Sequence, residues 1–102
     1  MKTVYKVFWT DHALEELKTA FQYLELNFSG NETSLLANKI ESVLSYISKH
    51  PNLYPESSEK MGVRRAVVAR FNTMYYRVNS AKKQIEILSF FANRDNPENL
   101  RL

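Results

Sequence analysis

The residue pattern indicates an α+β fold of order β-α-α-β-β-β: a curved, mostly antiparallel four-stranded sheet with a two-helix hairpin packed on one face. Three observations carry this. A short alternating run opens the chain, two apolar stripes with helical spacing follow, and three alternating runs with short connections fill residues 63–91. Packing the helical hairpin on one face of the sheet is the economical way to bury both.

The first run, "VYKVFW" (4–9), alternates and is rich in β-formers. Thr10 and Asp11 then offer N-capping oxygens, and Ala13, Leu17, Ala20, Leu24 and Phe28 recur at intervals of three and four, an amphipathic helix. "SGN" (29–31) stops it, with Asn31 placed to cap the next helix. There Leu36, Ile40, Val43, Leu44 and Ile47 form one stripe. Lys49 and His50 fall in the last turn, where cations suit the dipole, and Pro51 ends it. Residues 51–62 read as loop. The runs "VRRAVVA" (63–69), "TMYYRV" (73–78) and "QIEILSFF" (84–91) follow, and "RFN" and "NSAKK" between them are of hairpin length. Val67, Met74, Tyr76 and Val78 are expected mostly in the core.

At 102 residues the chain suits one domain, residues 1–102, with a single core. The absence of cysteine excludes disulfides, thiol chemistry and a cysteine-based zinc site. His12 and His50 lack ligand spacing, so neither a metal nor a cofactor is expected. The N-terminus lacks an apolar stretch of signal-peptide length and no segment has the length of a membrane span, which points to a cytoplasmic protein with no membrane partner.

Charge is unevenly spread. Residues 1–60 hold six Lys/Arg and eight Asp/Glu, whereas residues 61–102 hold eight and three, giving −2 and +5. All six arginines lie in the second part, four of them in "RRAVVARFNTMYYRV" (64–78). A basic half beside a mildly acidic one suits a polyanion or an acidic partner. Scattered solvated arginines on strand faces would give the same count.

Three chemistries compete for this half. A metal-independent ribonuclease needs a base for the ribose 2′-hydroxyl, a cation for the phosphate and an acid for the leaving oxygen. Arg64, Arg65, Arg77 or Arg94 could clamp phosphate, but bases are scarce. His12 opens a helix and His50 ends one, positions that suit caps. Glu86 is equally a solvated strand carboxylate. Tyr75 and Tyr76 are available as acids, but alternation points them to opposite faces, so at least one belongs to the core. Binding without cleavage is the second chemistry, with Phe71, Tyr75, Phe90 and Phe91 as stacking platforms unless the core claims them. The third is a protein partner, for which arginine and tyrosine are favoured anchors. The helical hairpin, with Glu15, Glu16, Glu25 and Glu41 beside Phe21 and Tyr23, offers a partner further edges.

The ordered segments are more specific than any one of these. "HPNLYPES", "GVRRAVV", "FNTMYYRV", "IEILSFF" and "NRDNPENL", preceded by the helix "TDHALEELKTAFQYL", resemble the RelE/ParE superfamily of toxins from toxin–antitoxin modules, over nearly the whole chain. The nearest likeness is to ParE-like and plasmid-stabilisation members. Tyr76-Arg77-Val78 on the third strand and Arg94 two residues before Asn96-Pro97 are the most distinctive matches.

The resemblance implies two functional branches. RelE-like members cut messenger RNA on the ribosome without metal, using basic residues of the second strand, an arginine opening the third, an arginine after the fourth and a tyrosine or histidine in the tail. By position Arg64 and Arg94 match two of these. Thr73 stands where the third-strand arginine would be, "DNPENLRL" lacks tyrosine and histidine, and Ala92 occupies a place where related chains often carry histidine. The nuclease set is incomplete, which weighs against an enzyme. ParE-like members share the fold, lack that set and are thought to poison DNA gyrase.

The resemblance therefore implies a ParE-like toxin that binds an essential target, with Arg64, Arg65, Arg77 and Arg94 as contacts for target or antitoxin. The alternatives are a ribosome-dependent messenger-RNA endonuclease and an inactive relative kept as a binding partner. A cognate antitoxin with an acidic, partly disordered segment is implied for either toxin, and the +5 half suits such a strap. Whether the free chain is a monomer or a homodimer is left open by the residues.

Overall fold

The computed structural model describes residues 4–28, 30–69 and 72–102. Its elements are β1 (Lys6–Trp9), α1 (Asp11–Asn27), α2 (Asn31–Lys49), β2 (Val63–Ala69), β3 (Asn72–Asn79), β4 (Gln84–Ala92) and a short 3-10 turn at Pro97–Asn99. The order is the one the periodicity indicated. Ser29, Arg70 and Phe71 lie outside the described residues, and with them Phe71 as a stacking platform.

The sheet runs β1-β4-β3-β2. The pairs β2/β3 and β3/β4 are antiparallel, as short hairpins require, while β1 lies parallel to β4. The helical hairpin carries the chain from β1 on one edge to β2 on the other, packing α1 mainly on β4 and α2 mainly on β2. β1 starts at Lys6, two residues later than the alternation suggested, with Tyr5 tied instead to the end of α2 by donation to Ser48 O (2.9 Å).

Thr10 caps α1 as expected, its hydroxyl accepting from Ala13 N–H (3.1 Å). The cap of α2 differs. Gly30, not Asn31, occupies the N-cap with φ +105°, a conformation that favours glycine, and no side chain caps that end. Asn31 is already helical.

The main core joins Ala13, Ala20, Leu24, Leu36, Ile40, Val43 and Ile47 of the helices to Met74, Tyr76, Ile85, Ile87 and Phe90 of the sheet. Full burial of each large side chain contributes about 1.5–3 kcal/mol. Leu17, Leu44 and Val78 pack partly against it, while Phe28 at the end of α1 stays 37% exposed.

A second cluster, Val63, Tyr75, Leu88 and Phe91, lies apart from this core and packs against Leu100 and Leu102. The tail is held there by Lys60 Nζ, which donates to Leu102 O (2.8 Å). The face opposite the helices is therefore not an open arginine–tyrosine surface, because two tail leucines find their burial on it. Val67 is corrected too: it is 54% exposed, on the alternate side of β2 from Ala66 and Val68.

Two β-bulges set which side chains face where. Val68 is the extra residue between the Val67/Thr73 and Ala69/Asn72 pairs, and Leu88 the extra one between Tyr75/Ser89 and Tyr76/Ile87. The second bulge turns Phe90 toward the helices and Phe91 toward the tail. It also aims the end of β4 at α1.

Candidate functional site

The four candidate arginines go to three places. Arg64 and Arg65 are consecutive on β2 and so project to opposite sides. Arg64 shares the side of Ala66 and Val68 and donates from Nη1 to the Tyr54 carbonyl at 2.6 Å. Arg65 is exposed on the other side, opposite Tyr75 in the ladder. Arg77 shares that side, pairing with Glu86 at 2.6 Å, both side chains about half exposed. Arg94 follows β4, far along the sheet from Arg77, with its guanidinium carbon 3.7 Å from the Tyr23 ring centroid. Only Arg65 and Arg77 share a surface.

The other candidates resolve into structural roles. Tyr75 is 6% exposed, Phe90 1% and Phe91 6%, so none is a platform for a nucleobase. Tyr76 is fully buried and donates its hydroxyl to Pro51 O (3.0 Å), and burial pushes its phenol up to about 12. Burial raises the Tyr75 phenol as well. Neither suits an acid that must release a proton near neutral pH. Glu86 is committed to Arg77, and His50 ends α2 with its ring 5.2 Å from that of Tyr46.

A half-open polar cleft of about 510 Å³ lies between α1 and the β3/β4 end. Its construction starts where β1 runs out. From Thr10 onward the first turns of α1 take over the hydrogen bonding of β4 that a longer β1 would have made. Thr10 N–H donates to Ile87 O (3.0 Å) and the Thr10 hydroxyl to Leu88 O (3.3 Å). Glu16 Oε1 then accepts from Ser89 Oγ (2.6 Å) and from Phe90 N–H (3.0 Å), and His12 Nε2 lies 3.2 Å from the same oxygen. One carboxylate oxygen thus anchors the bulged strand, with the histidine one helical turn away beside it.

Around this anchor the cleft collects His12, Glu15, Asn72, Arg94 and Asp95. Asp95 Oδ1 accepts from Asn96 N–H (2.8 Å) and Asn99 Nδ2 (3.0 Å). The Asn99 bond, then the Asn96 bond and the charge of Arg94 hold its carboxyl below the usual range. Of these residues Arg94, His12 and the helix glutamates stood out in the sequence, His12 as a cap. The spacing of His12 and Glu16 was a readable signal for a helical pair, whereas nothing local marked Asn72 or Asp95. No group of three or more His, Asp or Glu among the described residues is placed to hold a metal ion, and no helix among them is long and apolar enough to cross a membrane.

No family model matches the chain, and no curated protein matches it in sequence. Solved structures do match in shape. The chromosomal ParDE toxin–antitoxin system from P. aeruginosa superposes with TM-score 0.72 at 20% identity, covering 88% of this chain and 97% of that one. The RelBE2 toxin–antitoxin complex from Mycobacterium tuberculosis gives 0.65 at 18% identity, covering 93% and 98%. The chain has the RelE/ParE toxin fold. A YoeB/ParE toxin from Agrobacterium tumefaciens gives 0.64 at 13% identity, over 86% and 98%.

On the RelE/ParE fold the departures noted in the sequence acquire positions. Thr73, standing where the resemblance places an arginine, is 3% exposed and donates its hydroxyl to Asn93 Oδ1 (2.7 Å). Ala92, standing where the resemblance often places a histidine, lines the cleft without a polar group. Arg64 and Arg94, the two matched cations, are held by different elements and different partners.

Proposed function

We propose that residues 1–102 form one ParE-like toxin domain of a type II toxin–antitoxin module, acting in the cytoplasm and needing no metal or cofactor. It arrests growth by binding an essential bacterial target, DNA gyrase by resemblance, and is neutralised by a cognate antitoxin. The observation that carries this reading is the dispersal of the arginines. Phosphoryl-transfer chemistry on RNA needs cations converging on one phosphate. Here Arg64 is tied to Tyr54 O, Arg77 to Glu86 and Arg94 to the Tyr23 ring. Arginines held apart with local partners suit recognition of a large partner over several patches.

The messenger-RNA endonuclease reading has one observation in its favour: His12, backed by Glu16, lies in the same cleft as Arg94. Against it, Glu15, Glu16 and Asp95 line that cleft and repel a phosphate backbone. The exposed Arg65 and Arg77 face suits an acidic antitoxin segment that folds on binding.

Pulse-labelling of new DNA and new protein just after induction of the chain without its antitoxin tests the proposal. Early loss of DNA synthesis is expected. Early loss of protein synthesis with DNA synthesis continuing would transfer the assignment to messenger-RNA cleavage. No loss of either would leave an inactive relative of the fold.

A further inference from the structure

The tail covers part of the sheet face opposite the helices, where Leu100 and Leu102 pack on Val63, Tyr75, Leu88 and Phe91. Phe8 lies outside that cluster and is 47% exposed. Alternation along β1 explains its position. Val7 and Trp9 pack against the main core, which leaves Lys6 and Phe8 on the other side.

The ladder sets Phe8 in a row with charged groups. Phe8 is opposite Glu86, and Glu86 is opposite Arg77. Neighbouring strands are about 4.8 Å apart, so Phe8 and Arg77 stand about 10 Å apart across the sheet. Arg65 is one strand further on and diagonal to Arg77, about 7–8 Å away. A half-open hollow of about 550 Å³ lies over the row, with Phe8, Arg77, Gln84 and Glu86 in its lining. The charge around this strip is basic: Lys6, Lys60, Arg65 and Arg77 stand against Glu59 and Glu86.

We propose that the strip from Phe8 to Arg65 docks an extended acidic peptide segment of the antitoxin, with one large apolar side chain seated on Phe8 and carboxylates on Arg77 and Arg65. The inference deepens the assignment of the Arg65 and Arg77 face to an acidic antitoxin and rests on it, adding Phe8 as the apolar anchor. An extended segment rises about 3.3 Å per residue, so about six residues span the strip. The strip offers an aromatic ring, a carboxylate acceptor and guanidinium donors together, and a peptide can meet each of them. A guanidinium carries five donors, so Arg77 can take a second carboxylate while it holds Glu86. A nucleic-acid backbone fits less well, because it carries a phosphate past Glu86 at every nucleotide while Tyr75 and Phe91 are buried away from its bases. A second copy of the chain fits less well too, since a two-fold contact would set this basic face against itself.

The test is a fluorescence-anisotropy titration of the full chain with a labelled, capped peptide. Its central Trp is flanked on each side by Gly and then Asp-Glu-Asp-Glu, which leaves either binding direction open. The controls are the same peptide with Ser for Trp, and a labelled thymidine decanucleotide. Saturable binding of the Trp peptide is expected, about tenfold tighter than that of the Ser peptide. Phe8→Thr keeps a β-forming residue at an exposed edge position, so its circular dichroism should match that of the parent. It should remove the advantage of the Trp peptide and leave the Ser peptide unchanged, whereas Arg77→Gln should weaken both. Lys39→Gln, on the exposed surface of α2, should change neither. Equal affinity for the two peptides, equal losses of both in Phe8→Thr, or tighter binding of the decanucleotide than of the Trp peptide would overturn the proposal. Growth arrest on induction separates this outcome from the toxin assignment. Arrest without saturable peptide binding removes the groove alone, and the expected peptide pattern without arrest retains the groove and removes the toxin.

Discussion

The Arg64 guanidinium donates to the Tyr54 carbonyl from a half-buried position, while Arg65, one residue on, stands exposed on the opposite side of β2. Arg64 therefore belongs to the fold as much as to any partner. Arg64→Ala should lower the unfolding free energy by about 1.5–3 kcal/mol, the range for a hydrogen bond to a charged group. Arg65→Ala should change it by less than about 0.5 kcal/mol. Urea titration of both variants measures the contrast, and equal losses would contradict the assignment. Tyr76 is a second residue whose chemistry is turned inward. Its folded-state phenol titrates at about 12 instead of the ordinary 10.0, chiefly because it is buried. The folded state thus keeps a proton that the unfolded chain releases, so stability holds below pH 10 and falls as pH rises from 10 toward 12. Tyr76→Phe strands the Pro51 carbonyl and should cost about 1 kcal/mol at neutral pH. It should also flatten the alkaline fall, which denaturation at pH 8 and pH 11 would reveal.

At the scale of elements, the bulge at Leu88 and the Glu16 anchor decide where Arg94 emerges. Glu16→Ala would leave both the Phe90 N–H and the Ser89 hydroxyl without their acceptor, at about 1–3 kcal/mol for each stranded group. Hydrogen exchange should quicken at Phe90 and stay slow at Ile85 in the middle of β4, whereas Glu16→Gln, which keeps an acceptor, should restore most protection. Quickening at both positions alike would mean that the anchor serves the whole sheet. The helices and strands were legible because each has a long apolar period: every residue in the α2 stripe from Leu36 to Ile47 is buried or half-buried. The faces of β4 were not legible, because alternation counts residues in twos and one inserted residue reverses every position after it. Val67 was misplaced by a related difficulty. A valine in a strand reads as core, yet β2 is an edge strand whose alternate side is left uncovered at that point. The cleft was partly legible. Arg94 was marked by resemblance and Glu16 by its helix, but Asn72 joins them only through the ladder pairing of Asn72 with Ala92.

Across the whole molecule, the charge asymmetry of the sequence divides into two surfaces of different character. Arg65 and Arg77 give the sheet face its exposed basic charge, while the α1/β4 cleft, despite Arg94, is rimmed by carboxylates. An acidic antitoxin strap should favour the first surface. Arg65→Ala with Arg77→Ala is expected to weaken antitoxin binding by about tenfold and to reduce its dependence on salt. Unchanged affinity and salt slope would remove the electrostatic strap from consideration. The Arg77–Glu86 pair is half-exposed and contributes about 0–1 kcal/mol, so the double variant should stay folded. The same division bears on recognition against cleavage: Tyr75 and Tyr76 are buried, Thr73 is closed in by its bond to Asn93, and Arg64, Arg77 and Arg94 are held by separate partners. The decisive measurement uses purified components: the full chain is mixed with DNA gyrase in a supercoiling assay and, separately, with ribosomes programmed with messenger RNA. Inhibited supercoiling with intact messenger RNA is the expected result. Cut messenger RNA with unimpaired gyrase would contradict it.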